Sequence, residues 1–84
     1  MYYSYVLQSQ KDKGFYVGFT KNLKLRFEQH SEGLVESTKD RTPLRLIYYE
    51  ACLDQSDATR REKYLKTYNG RRFLARRLKS CLTG

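Results

Sequence analysis

Aromatic and aliphatic positions crowd the start of the chain. Tyr2, Tyr3, Tyr5, Val6 and Leu7 are broken only by Ser4, which predicts a strand over 2–8. The polar stretch Ser9-Gln10-Lys11-Asp12-Lys13-Gly14 then predicts a turn, and Phe15-Tyr16-Val17-Gly18-Phe19 the returning strand of a hairpin. That connection is longer than the tightest hairpin turns, so it leaves the register open. Thr20 is a candidate cap for a helix running to about His30, with apolar positions Leu23 and Phe27 four apart. At about 100° per residue, Arg26 and His30 flank this stripe instead of opposing it, and both are expected to rise from the edge of the packed surface.

Residues 31–42 carry Gly33, several charges and few apolar groups, the pattern of a loop that Pro43 ends. Leu44-Arg45-Leu46-Ile47-Tyr48-Tyr49-Glu50 predicts a third strand. Both of its faces carry apolar bulk, which suggests the centre of a small sheet. Asp54 or Ser56 can cap a helix over about 57–68. There Ala58, Leu65 and more loosely Arg61 share a face, and Glu62 lies about 40° from Ala58 on the helical wheel. A carboxylate beside a buried stripe needs a partner, a metal ion or water. Asn69-Gly70 reads as a helix stop that can start another, and Phe73, Leu74 and Leu78 give the last helix its apolar edge. The resulting order is β-β-α-β-α-α, an α+β chain.

Composition narrows the class. The 84 residues suffice for a single domain over 1–84 with a small core. Eight Tyr and four Phe supply enough apolar bulk to argue against disorder. No apolar run approaches the roughly 20 residues of a membrane span, and the N-terminus lacks a secretory pattern. Cys52 and Cys81 belong to no metal or disulfide spacing, so both thiols are expected free in a reducing, cytoplasmic setting. Seventeen Lys and Arg against nine Asp and Glu leave a net charge of +8. The excess is concentrated late: Lys63, Lys66, Arg71, Arg72, Arg76, Arg77 and Lys79 have no acidic residue among or after them. On a helix Arg72 and Arg76 share a face, as do Arg71 and Lys79 within two turns. Such a surface suits a phosphate backbone, so Arg71, Arg72, Arg76, Arg77 and Lys79 are the candidate nucleic-acid contacts; the plainer reading is a solvated basic helix.

The residues with chemistry left to assign are Tyr5 and Tyr16 in adjacent strands, Arg26 and His30 one helical turn apart, and Glu62. Phosphodiester hydrolysis uses groups of these types: a hard oxygen ligand for a divalent cation, a cation for the phosphate, a proton acceptor and an orienting donor. Taken together, Tyr3-Ser4-Tyr5, Tyr16-Val17-Gly18, Arg26 with His30, and Glu62 within Arg60-Arg61-Glu62-Lys63-Tyr64-Leu65-Lys66 resemble the GIY-YIG nuclease superfamily. The chain is most similar to the small stand-alone bacterial proteins of that superfamily. The resemblance covers nearly the whole chain, Thr42-Pro43-Leu44-Arg45-Leu46 included.

The resemblance implies a three-stranded antiparallel sheet flanked by helices and an endonuclease that uses a single Mg²⁺ or Mn²⁺. It places the metal ligand at Glu62, the phosphate-contacting arginine at Arg26, the motif tyrosines at Tyr5 and Tyr16, and the position one turn after the arginine at His30. DNA is the expected partner, cleaved by structure more than by sequence, with no membrane and with room for a protein partner or a homodimer. Tyr3 and Ser4 depart from the Gly and Ile of the first motif, and Asn69 is only a loose counterpart of the family's later asparagine.

Plainer roles stand beside each of these. The tyrosines can be packing residues, Arg26 a snorkelling surface cation, His30 a helix C-terminal residue favoured by the dipole, and Glu62 an i,i+4 partner of Lys66 turned to solvent. Two other functions remain open: a non-catalytic nucleic-acid-binding module with the same fold, and an interaction domain with a tyrosine-rich surface.

Overall fold

A computed structural model describes residues 1–83. Strand β1 spans Tyr2–Ser9 and β2 Phe15–Thr20; helix α1 follows over Leu23–Ser31. After a single 3-10 turn, Lys39–Arg41, come β3 (Leu44–Cys52), α2 (Gln55–Leu65), α3 (Tyr68–Arg77) and the short α4 (Lys79–Thr83). The three strands form one antiparallel sheet in the order β2-β1-β3. The expected architecture is therefore the observed one, with one short helix added at the end.

The expected centre of the sheet has to be corrected. It is β1, not β3, that is paired on both sides, and every residue from Ser4 to Ser9 is buried. β3 is an edge strand, with Arg45, Tyr49 and Ala51 exposed. Apolar bulk on both faces of β3 reflects helices above and below the sheet, which cover edge and centre strands alike. β1 has the same property, and Ser4 does not break it, because its hydroxyl donates to the Ala58 carbonyl at 2.7 Å.

Two apolar clusters flank the sheet. On one face Tyr5, Leu7 and Leu44 pack with Tyr16 and with Leu23 and Phe27 of α1. On the other, Val6, Leu65 and Leu74 pack with Val17, Ile47 and Phe73 under α2 and α3. The period-2 alternation of β1 assigns Tyr5 and Leu7 to the α1 side and Ser4 and Val6 to the α2 side. Pairing Tyr5 with Gly18 and Leu7 with Tyr16 puts the Tyr16 side chain on the α1 side as well.

Helix boundaries also differ from expectation, for local reasons. Asn22, not Thr20, caps α1, its side chain accepting from the Leu25 amide at 3.1 Å. Thr20 instead accepts from the Asn22 amide at 3.1 Å and shapes the entry. Asp54 caps α2, as one of the two expected candidates. Asn69-Gly70 does not stop a helix. The break falls earlier, where Thr67 caps α3 by accepting from the Gly70 amide at 3.1 Å. Gly70 sits inside the first turn because a Cβ there would overlap the Tyr64 carbonyl of α2. The tight α2–α3 corner thus requires glycine at this position.

Candidate active site

β1 and α1 build the centre of the site. Tyr5 points to the α1 side, and its hydroxyl lies 2.8 Å from Nε2 of His30 in the last turn of α1. The other ring nitrogen, Nδ1, lies 2.7 Å from Oγ1 of Thr38, in the loop before β3. Tyr5 is 3% exposed, His30 4% and Thr38 1%. A chain of three polar side chains at this depth is stable only because each group finds a partner. Burial, reinforced by the Arg26 guanidinium, holds His30 below its ordinary basicity and keeps it neutral near pH 7. Burial raises the Tyr5 phenol, Glu62 adds to the rise, and Arg26 and Lys66 oppose it. His30 does sit at a helix C-terminus, but bonds on both nitrogens and burial, not the dipole alone, determine its state.

The triad opens into a cleft of about 580 Å³ that straddles the β2 edge of the sheet. Tyr5, Tyr16, Gly18, Arg26 and His30 line it from the α1 side, and Glu62, Lys66 and Arg71 reach it from α2 and α3. Gly18 makes this possible: it pairs with Tyr5 across the hairpin, and a Cβ there would overlap the Tyr5 hydroxyl and ring. A side chain at 18 would displace the phenol from His30. All five residues expected to carry chemistry, Tyr5, Tyr16, Arg26, His30 and Glu62, thus border one cleft.

They are not equally engaged. Arg26 is half-buried; its guanidinium lies close enough to the Tyr5 hydroxyl to oppose the rise of that phenol, and its Nη1 donates to Gln29 Oε1 at a long 3.3 Å. The Tyr16 hydroxyl turns to the hairpin and donates to Asp12 Oδ2 at 3.4 Å, away from the Tyr5–His30 pair. Glu62 does pair with Lys66, at 3.1 Å, yet its side chain remains only 21% exposed. The i,i+4 pair and the inward carboxylate therefore coexist, because both residues lie on the helix face that borders the cleft.

The basic residues divide. Arg71 lines the cleft, whereas Arg72 stacks over the Tyr68 ring at 5.8 Å and Arg76 and Arg77 flank Phe73 elsewhere. α3 ends at Arg77, so Lys79 begins a separate helix and does not continue the Arg71 face. Asn69 is exposed in the first turn of α3, outside the cleft lining. Sequence reasoning missed Thr38, which sits in a loop with no periodicity to mark it, and took Lys66 only as a competitor for Glu62.

Among the described residues no group of three or more acidic, histidine or cysteine side chains could hold a metal ion. Glu62 is the one carboxylate in the cleft lining. A single hard oxygen donor beside an open cleft fits Mg²⁺ or Mn²⁺, which keep water and phosphate oxygens as their remaining ligands. It does not fit zinc, which requires three or four protein ligands. Among the described residues no helix is long and apolar enough to cross a membrane.

A family model described as the GIY-YIG catalytic domain matches residues 1–77. Among similar proteins, a UPF0213 protein of Clostridium perfringens is 37% identical over 67 residues, covering 79% of this chain and 71% of the relative. One from Staphylococcus haemolyticus is 36% identical over 69 residues, covering 81% and 83%. A third, from Limosilactobacillus reuteri, is 43% identical over 68 residues, covering 77% and 70%. None of these names states an activity. No solved structure matches the chain.

Proposed function

This chain belongs to the GIY-YIG catalytic domain family, a family of nucleases, and on that footing we propose that it is a divalent-metal-dependent endonuclease acting on DNA. The observation that carries the reading is the buried 2.8 Å Tyr5–His30 contact opening onto the same cleft as a loosely held guanidinium and a lone carboxylate. Residues 1–84 act as one domain. So small a unit has few elements to read base edges, and cleavage follows DNA structure more than sequence.

Glu62 would hold the metal, Mg²⁺ or Mn²⁺, whose chemistry there would be to polarise the scissile phosphate and offset charge on the leaving oxygen. Arg26 leaves Gln29 for the phosphoryl oxygens and stabilises the charge that develops on them. His30 is the proton acceptor. With Nδ1–H donated to Thr38, its Nε2 lone pair accepts from the Tyr5 hydroxyl. A phenol raised by burial is a poor base alone. Tyr5 therefore takes the proton of the attacking water as its own proton passes to His30. Tyr16, its hydroxyl bound at the hairpin, shapes the cleft wall. Lys66 releases Glu62 and, with Arg71, binds the phosphates on either side. Arg72, Arg76, Arg77 and Lys79, which lie outside the cleft, offer separate phosphate contacts on the exposed surface of α3 and α4.

The test is a panel of single-stranded, duplex, flap and junction DNA with and without Mg²⁺ or Mn²⁺, comparing wild type with Glu62→Ala. Metal-dependent scission by the wild type that the variant lacks is expected. Cleavage at wild-type rate by the variant removes Glu62 from the chemistry. Salt-sensitive binding without scission by either protein leaves the non-catalytic module.

A further inference from the structure

A second depression lies on the other side of α1. It is a groove of about 970 Å³, walled by Leu23 and Phe27 of α1 and floored by Tyr3, Leu46 and Tyr49 of the sheet. Its size lies within the range of small-ligand pockets. Two properties set it apart from an ordinary exposed apolar patch. Its floor is aromatic: the Tyr3 and Tyr49 rings meet edge-on with centroids 6.0 Å apart, and Tyr49 is 52% exposed. Its rim is cationic, with Lys21 and Lys24 both exposed and Glu28 the single acidic residue among the lining.

The groove adjoins the candidate active site. Tyr3 and Tyr5 are alternate residues of β1, so their side chains leave the same face of the sheet about 6.8 Å apart. Tyr5 belongs to the cleft and Tyr3 to the groove. α1 separates the two, with Arg26 and His30 on one side and Lys24 and Phe27 on the other. A helix is about 10–12 Å across with its side chains. A nucleic-acid strand seated in the cleft therefore reaches the groove within a few nucleotides.

We propose that the groove is a stacking platform for an unpaired base of the substrate, Tyr49 and Tyr3 meeting the base and Lys21 and Lys24 the flanking phosphates. Aromatic faces accept any base and lysines follow the backbone, the chemistry by which single strands are held without regard to sequence. The occupant is a single-stranded segment next to the scissile position, as in a flap. The inference rests on the nuclease reading for what lies in the neighbouring cleft, but its own test is a binding measurement and needs no cleavage.

The experiment measures fluorescence anisotropy of a labelled oligo-dT, a flap and a plain duplex in metal-free buffer, with wild type, Tyr49→Ala, Tyr3→Phe and the Lys21→Ala/Lys24→Ala pair. Tyr49→Ala is expected to lower the flap-to-duplex affinity ratio about tenfold, whereas Tyr3→Phe, which keeps the ring, retains it. The lysine pair is expected to reduce the salt slope for oligo-dT by about 1.4, two phosphate contacts' worth. An unchanged ratio and slope in properly folded Tyr49→Ala and lysine-pair proteins overturns the platform. So does a change confined to self-association in sedimentation, which would make the groove a protein-docking surface. Failure of metal-dependent cleavage in the DNA panel with these binding effects intact would sink the nuclease reading and leave the platform standing.

Discussion

Arg61 and Glu62 are neighbours on α2 and end in opposite situations. Arg61 reaches the β3 edge, where Nε and Nη2 donate to the Glu50 carboxylate at 2.9–3.1 Å, and Tyr48 donates to the same carboxylate at 2.8 Å. The guanidinium lies over both the Tyr64 and the Phe73 ring, 4.9 and 4.7 Å from their centroids. Glu62 turns to the cleft, where its one ion-pair partner among the described residues is a lysine that is itself 54% exposed. Both regions contain a tyrosine, an arginine and a glutamate. At the β3 edge these groups saturate one another, and Glu50 holds the Arg61 proton even more firmly than usual. In the cleft the arginine and the carboxylate form no ion pair with each other among the described residues and hold weak or displaceable partners, whereas Tyr5, His30 and Thr38 bond one another in a chain. The residue types are the same in the two regions; what differs is the state of hydrogen-bond saturation.

The comparison breaks most readily at Glu62. Glu62→Gln should reduce metal-dependent cleavage at least about 1000-fold, a barrier change of about 4 kcal/mol, while the thermal midpoint stays near that of the wild type. A large loss of stability instead would mean that Glu62 is as structural as Glu50. Arg26→Ala comes next, with a loss of about 100-fold in cleavage, the size expected when one donor to a developing oxyanion is removed. Single-turnover rates at saturating protein would check that the loss lies in the chemical step and not in DNA binding.

Arg61→Ala should show the reverse profile. Loss of the bidentate pair and of two ring contacts is expected to cost about 1–3 kcal/mol in urea unfolding, with cleavage per folded molecule retained. The smallest effect concerns pH. His30 is less basic folded than unfolded, so the unfolded chain binds more protons over the interval between the two values. Stability should therefore rise with pH through that interval and level off above about 6.5, the unperturbed imidazole value. His30→Gln should flatten this rise, and the cleavage rate of the wild type should climb across the same interval as His30 becomes neutral. A wild-type stability that falls with rising pH there would show that His30 is held protonated.

Much of the fold was legible because its signals are local. The aromatic run of β1, the glycine-ended turn, the Asp54 cap and the Leu23/Phe27 spacing depend on neighbours within a few residues. The centre of the sheet was misread because apolar bulk on two faces reports helices above and below a strand, not partners beside it. Asn69-Gly70 was misread as a stop because Gly70 answers to a contact with Tyr64 on another helix. In the site, Arg26, His30 and Glu62 stood out by chemistry and spacing. Thr38 did not, since a threonine in an irregular loop carries no pattern until His30 is placed 2.7 Å away.

By itself, the order of residues determined the kinds of element, their sequence along the chain, the basic balance and the likeness to a nuclease family. Periodicity, capping and composition are properties of short windows, so a linear reading captures them. Tertiary structure alone decided which strand lies in the middle, which arginine is spent in a closed ion pair and which is left available, and which hydroxyl orients the histidine. Those outcomes depend on distances between residues far apart in the chain. They are set when packing excludes water and obliges each buried polar group to find a partner.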